Sequence, residues 1–433
     1  MFLLFFIFYF FAVSAIAEPA KPVIVNNFIV NDASFFQQLQ GYMAFGKLKN
    51  KPLNILKLNQ GLWQFNRLAS NNAKIKIQPV DSNKYDIYIK NQTQNKLRLA
   101  TGGDNLGSKF SGKNRQNIRL TSDNMLNLGD AINLQYFGNS FFDKKNKSAN
   151  SIQANINLPL IINNIDYSYV YSDFSGKDRN NIFSGHSSIN QLFLNTTIIT
   201  QKLSLQNGII LKKSQNYFNN IKLDNAKHKL SIINSALLLN LALNNNSWHL
   251  FWRLHPSINI GIGSFGANKD NKQISDQPHN QFKSLKINSF IEQKYRHFSL
   301  ANELEWQSSR QPLLASEQIN IGGYNTVRGF SEGSIGGDSG YFMRNKIASN
   351  LKKPSLQTNI GIELFYDYGK INNNKQPKPN SGRLSGAGIK STVEIADFVI
   401  SATYAKALSR SQLLNKKENS NLYFEFSYSF AYL

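Results

Sequence analysis

The sequence predicts a mainly β protein: a transmembrane antiparallel β-barrel of about sixteen strands preceded by one small α+β domain. Three observations predict it. Apolar and polar residues alternate in segments of roughly ten residues, separated by Asn, Gly, Ser, Asp and Lys clusters, which is the pattern of tilted strands with one face to lipid. Aromatic residues reach 12% while charged residues stand at 17%, below the ~25% of ordinary soluble domains. Mean hydropathy is −0.36, and no run after the N-terminus approaches the ~20 apolar residues of a spanning helix. Lipid leaves no backbone polar group unpaired, so an exported chain of this kind crosses it as a closed barrel.

The first element is a targeting segment. Phe2 to Val13 is unbroken apolar sequence and Ala15-Ile16-Ala17 is a small-x-small cleavage signature. The run is too short to span a bilayer, so residues 1–17 are expected to be a secretory signal peptide.

Residues 18–92 read as a small α+β unit. A leading strand is expected at Val23–Val30 and a helix from Ala33 to Tyr42. A second helix lies within Leu53–Leu68, where Leu58, Leu62, Phe65 and Leu68 share a face and Pro52 sits where the helix starts. Strands at Lys74–Pro79 and Tyr85–Ile89 follow, joined by the turn formers Asp81-Ser82-Asn83.

Residues 93–433 read as the barrel. Asp130–Asn139 sets Ile132, Leu134 and Tyr136 against Asn133 and Gln135, and Asn163–Ser172 sets Ile165, Tyr167, Tyr169 and Tyr171 against Asp166 and Ser168. At the C-terminus, Leu422, Phe424, Phe426, Tyr428, Phe430 and Tyr432 face one way, and Glu425, Ser427 and Ser429 the other. About sixteen segments lie near 97, 113, 130, 150, 164, 186, 202, 227, 247, 281, 298, 341, 358, 384, 396 and 421; an even number is expected. A soluble β-sandwich or β-helix would carry charged outer faces instead of this Phe- and Tyr-rich one. Most connections are short, but 309–340 is a long Gly- and Ser-rich stretch between strong strands, and loops of that length are usually functional.

Composition excludes several chemistries. With no cysteine there is no disulfide, Cys-ligated metal or thiol nucleophile. Gly261 to Gly266 spells G-x-G-x-x-G without the βαβ context a nucleotide needs, and reads as a strand end. Gly337-Asp338-Ser339-Gly340 looks like a serine-protease turn, but no His falls in a recognisable partner motif. His249 and His255 lack metal-ligand spacing. No enzyme activity, cofactor, metal or nucleic-acid partner is expected. The net charge of +23 is assigned to loops and lumen, or to contact with anionic lipid phosphates.

The long loop reads Ile321-Gly322-Gly323-Tyr324-Asn325-Thr326-Val327-Arg328-Gly329-Phe330, and later Gly337-Asp338-Ser339-Gly340-Tyr341 with Arg344-Asn345. It closely resembles the conserved loop of the TpsB transporters of two-partner secretion, the ShlB/FhaC/HecB-like haemolysin secretion/activation proteins of the outer-membrane superfamily that includes the BamA insertase. Val327-Arg328-Gly329-Phe330 matches that superfamily's (V/I)RG(F/Y) motif, and Phe365-Tyr366-Asp367-Tyr368-Gly369 resembles its F-x-D-x-G strand. Asp104 to Ser108 with Gly112, and Asp123-Asn124 with Gly129-Asp130, resemble the first two barrel strands. Pro52-Leu53-Asn54 through Asn66-Arg67-Leu68 resembles the helix of the family's second periplasmic POTRA domain. The resemblance implies an Arg328–Asp367 bridge holding an inward loop in the pore, with Gly322, Gly323, Gly337, Asp338, Gly340 and Gly369 in support. It also implies an insertion signal at Phe424, Phe426, Tyr428, Phe430 and Leu433, read by the barrel assembly machinery. The implied function is export, without ATP, of a large exoprotein held unfolded in the periplasm, from a pore among outer-membrane lipids of a Gram-negative bacterium. An assembly or insertion factor and a passive porin are the alternatives.

The sequence departs from that pattern in places. The residues before the first strand suffice for one POTRA domain, and no plug helix is apparent. Lys346 reverses the charge of the family's Glu, and the last residue is Leu433 where Phe is usual. A client strand would have to join Lys74–Pro79 or Tyr85–Ile89 at a sheet edge.

Overall fold

The computed structural model describes residues 23–31, 34–139, 147–178, 181–270, 277–331, 333–353, 358–373, 381–414 and 419–432. The signal-peptide segment at 1–17 lies outside them.

The N-terminal unit contains β1 (Ile24–Val30), α1 (Phe35–Phe45), α2 (Ile55–Phe65), β2 (Ala73–Asp81) and β3 (Lys84–Asn91). Its sheet order is β1-β3-β2, with β1 parallel and β2 antiparallel to β3. Val25, Val30, Phe45, Leu58, Phe65, Ile87 and Ile89 form one core beneath the two helices. Helix α2 starts later than Pro52, because Asn54 caps it: the Asn54 Oδ1 accepts from the Lys57 N–H at 3.0 Å. Pro52 instead bridges to Ile24 beside β1. The expectation that Tyr85–Ile89 could offer a free edge is corrected by the strand order. That segment is central, paired on both sides, while β2 is an edge strand.

The barrel strands are β4 (Leu97–Asp104), β5 (Arg115–Asp123), β6 (Ala131–Gly138), β7 (Ser148–Leu160), β8 (Asn163–Asp178), β9 (Asn181–Ile199) and β10 (Leu203–Phe218). After the two-residue β11 (Ile221–Lys222) come β12 (His228–Asn244), β13 (Trp248–Ile262), β14 (Lys283–Tyr295) and β15 (Phe298–Ser309). A small hairpin of β16 (Ile319–Ile321) and β17 (Ile335–Gly337) precedes β18 (Ser339–Lys353), β19 (Thr358–Asn372), β20 (Ser381–Ile395), β21 (Phe398–Ser409) and β22 (Ser420–Tyr432). Apart from β11, the closed circuit contains sixteen strands, and β22 closes it on β4 from Glu425↔Asp104 to Tyr432↔Leu97. Closure removes both sheet edges, which is what lets strands lie in hydrocarbon. Outward side chains such as Leu300, Ile347, Leu364, Phe424 and Phe426 are exposed, while their sequence neighbours turn inward.

The N-terminal domain sits against one rim. The Gln64 amide donates to Asn163 O and Asn164 Oδ1, both at 2.9 Å, and Asp123 Oδ2 accepts from the Ser70 N–H at 2.8 Å. Arg67 donates to the Gly129 carbonyl. Burial in this joint draws the Arg67 guanidinium down to about 10 against the pull of Asp166, Asp123 and Asp130. The joint thus contacts the β5–β6 and β7–β8 turns, and the long β15–β18 connection opens at the opposite rim. That connection is more structured than a plain loop, because β16 and β17 pair within it.

Candidate functional site: the pore loop and its anchors

The described residues of the loop, 310–331 and 333–338, turn back into the barrel. Ile319, Ile321, Val327, Phe330 and Ile335 of the loop pack on Phe342, Ile371, Leu384 and Ala407 of the inner wall. Apolar burial therefore seats the loop on β18–β21. The segment reaches the opposite wall as well, where Lys212 of β10 pairs with Glu317 at 2.8 Å.

Alternation on β19 turns Glu363, Phe365, Asp367 and Gly369 inward. Arg328 meets three of them. Its Nε donates to Asp367 Oδ2 at 2.6 Å, Nη2 to Asp367 Oδ1 at 2.9 Å and Nη1 to Glu363 Oε1 at 2.8 Å. The Arg328 backbone N–H also donates to Asp367 Oδ2 at 3.1 Å, and the guanidinium carbon lies 3.4 Å over the Phe365 ring. Arg328 is 2% exposed and Asp367 0%. A buried charge is tolerable only when paired this fully.

Close approach of backbone to wall demands missing side chains at two places. Gly329 has φ +101°, and a Cβ there would lie 2.9 Å from Ala407 N. A Cβ on Gly386 would lie 1.9 Å from the Arg328 carbonyl oxygen. Gly369 faces Ile321 and Val327, whose methyl groups would stand 3.1 Å from a Cβ. Gly322 and Gly323 turn the loop at φ +104° and +106°. Gly337 pairs with Ile319 in the hairpin, Gly340 sits opposite Ile371, and Asp338 Oδ1 accepts from the Leu313 N–H at 2.8 Å and from Gln318 Nε2 at 3.1 Å.

A second anchor joins the loop to β22. The Tyr324 hydroxyl donates to Glu425 Oε1 and accepts from Lys390 Nζ at 2.7 Å, and Lys390 pairs with Glu425 at 3.0 Å. The Tyr423 hydroxyl accepts from the Gly329 N–H and donates to the Phe330 carbonyl, both at 3.3 Å. Sequence reasoning missed Glu363, Gly386, Tyr324, Lys390, Tyr423 and Glu425 as anchors. The inward alternation through Asp367 would have found Glu363. The others needed the strand register. Lys346, the reversed charge, lies 3.6 Å from Glu363, so it has a carboxylate across the strand pair.

The terminal aromatics divide. Phe424 and Phe426 point outward, and Tyr428 packs on Phe398 at 4.2 Å and on Phe430 at 4.0 Å. Leu433 lies outside the described residues.

Barrel, rim domain and inward loop together define an outer-membrane-type β-barrel whose lumen holds its own loop beside a cavity of about 970 Å³. A model of the haemolysin secretion/activation proteins ShlB/FhaC/HecB matches residues 83–393, and a POTRA domain model matches residues 24–79. The chain belongs to the ShlB/FhaC/HecB family. It is 27% identical over 366 residues to the outer membrane transporter CdiB of Dickeya dadantii, covering 81% of this chain and 63% of that one. It is 25% identical over 427 residues to the hemolysin transporter protein HpmB of Proteus mirabilis, covering 90% and 71%. The chain thus spans about six-tenths of the length of the CdiB relative. The solved structure of CdiB from Escherichia coli superposes with a TM-score of 0.84 at 22% identity, covering 94% of this chain and 77% of that one. BamA from Haemophilus ducreyi lacking POTRA domains 1–3 gives 0.58 at 11% identity, covering 95% and 85%. These two likenesses concern the fold.

Proposed function

We propose that this chain is an outer-membrane pore that passes a large exoprotein of the haemolysin or adhesin type to the cell surface, with neither ATP nor catalysis. The observation that carries the reading is the fully paired Arg328 on Asp367 and Glu363, which seats a long loop inside the lumen. A static filter gains little from so elaborate an anchor; a pore that must hold and reposition its own obstruction needs one.

In this reading residues 1–17 direct export, 18–92 form the periplasmic domain and 93–433 the pore. The unfolded client adds as a strand to the free edge of β2, where Lys74, Lys76 and Ile77 are exposed, and folding outside the cell supplies direction. The outward aromatics of β22 serve insertion by the barrel assembly machinery. Comparing culture medium and outer-membrane proteome with and without the gene tests this. Loss of one large secreted protein with other barrels unchanged is expected; a general fall in other barrels would make the chain an assembly factor instead.

A further inference from the structure

We propose that the outer surface of β8–β12, at the rim opposite the POTRA domain, binds the phosphorylated sugar headgroup of an outer-leaflet glycolipid. The inference rests on the orientation of the barrel and not on what the pore transports.

The outward face of β10 carries Leu203, Leu205, Ile209 and Leu211, interrupted by Asn207, which accepts a hydrogen bond from Ser235 of β12, and then Lys213. The outward face of β12 runs the other way, with Leu243, Leu241, Leu237 and Ile233 exposed, and ends at Lys229. The eight residue steps of tilted strand from Leu203 to Leu211 rise about 20 Å, close to the ~25 Å height of an outer-membrane apolar band. Lys213 and Lys229 therefore begin where hydrocarbon ends, at the level of the headgroups.

These two lysines are direct cross-strand partners. Like charges placed opposite each other repel, and destabilise a sheet unless an anion bridges them. Lys222 and Lys227 lie just above, on the turn that follows β10. Lys222 has Asp224 at 3.6 Å, and Asp173 lies opposite His186, where it accepts from Asn150. The salt bridges among the described residues give Lys213, Lys227 and Lys229 no carboxylate.

Beside the lysines, Tyr171 stacks on His186 at 6.5 Å, and Tyr217 packs against His186 at a tilt, 5.9 Å between ring centres. Lysines and aromatic rings together line a cleft of about 390 Å³. Cations at headgroup height, hydroxyl donors beside them and acyl-compatible leucines directly below match one ligand: a phosphomonoester on a sugar that carries acyl chains. A soluble anion would have no use for the apolar wall.

Native mass spectrometry of the full chain in detergent, titrated with diphosphorylated lipid A, tests this. The wild type is expected to retain the lipid, and Lys213→Gln/Lys229→Gln to bind it roughly thirtyfold more weakly, the effect of removing two surface cations. Dephosphorylated lipid A should bind the wild type as weakly as the intact lipid binds the variant. Heat-modifiable gel migration shows that the variant barrel is folded. Equal retention by variant and wild type, equal retention of the dephosphorylated lipid, or displacement by inorganic phosphate at the lipid's own concentration would each overturn the proposal.

Discussion

Asp367 grips Arg328 through two parallel hydrogen bonds, Nε to Oδ2 at 2.6 Å and Nη2 to Oδ1 at 2.9 Å, from a position with no solvent exposure. The pair is a fork on a fork, and it joins a loop to a strand 39 residues further along the chain. Because Phe365 covers the guanidinium face and Glu363 takes Nη1, the loop has one seated position instead of many. The consequences can be measured.

Removing one partner of a buried pair typically costs ~3–5 kcal/mol, because the other charge is stranded. Asp367→Asn should therefore unseat the loop more than its loss of a single charge suggests. Arg328→Lys keeps the charge but loses the fork, and should resemble Asp367→Asn. Planar-bilayer recordings should show larger or flickering conductance for both; wild-type traces from Arg328→Lys would mean that charge alone holds the loop.

The Tyr324–Lys390–Glu425 triangle is a weaker anchor. Tyr324→Phe removes both hydroxyl hydrogen bonds but leaves the ring against Tyr423 at 5.1 Å. A loss of about 1 kcal/mol in loop seating is expected, seen as occasional openings in the same recordings. Full loop release by this variant would promote the triangle to the principal anchor.

Gly386→Ala places a methyl group where the Arg328 carbonyl oxygen now sits. It should reproduce the open traces of Asp367→Asn although it touches no charge. Gly263→Ala is the matched control: its nearest neighbour would be an ordinary 3.6 Å contact, and no change is expected.

Asp270 holds the connection after β13 together, accepting from the backbone N–H groups of Asn280 and Gln281 at 2.7 and 2.8 Å. Burial pushes its carboxyl up, but those donors, the Asn280 amide and His279 outweigh it, and the net shift is downward. A depressed folded-state value means the stabilisation is complete above the unfolded value of about 3.9 and fades as pH falls through the folded one. Protection of the 277–281 amides against exchange, taken relative to the intrinsic rate at each pH, should thus be constant from pH 7 to 5, and Asp270→Asn should reduce it at both. Equal exchange in variant and wild type would remove Asp270 from the clasp.

Much of this architecture was legible in the chain. Period-two alternation marked the barrel strands to within a few residues, because lipid on one side and lumen on the other impose opposite chemistry on neighbours such as Leu364 and Phe365. The resemblance of the loop to the family's motif pointed to Arg328, and that of Phe365–Gly369 to the F-x-D-x-G strand pointed to Asp367. What alternation cannot convey is register. Nothing near Glu425 says that it meets Tyr324 from 101 residues away, and Gly386 is one small residue among several until Arg328 is seen against it. Strand order was equally hidden, so the central place of Tyr85–Ile89 emerged only from the sheet.

In the proposed function, the Arg328 bridge sets the loop in the position transport requires. If the proposed export function holds, the direct measurement is exoprotein export by Arg328→Ala, with heat-modifiable migration reporting that the barrel is inserted. A normal barrel and no export are expected. Wild-type export from correctly inserted Arg328→Ala would contradict that role of the bridge.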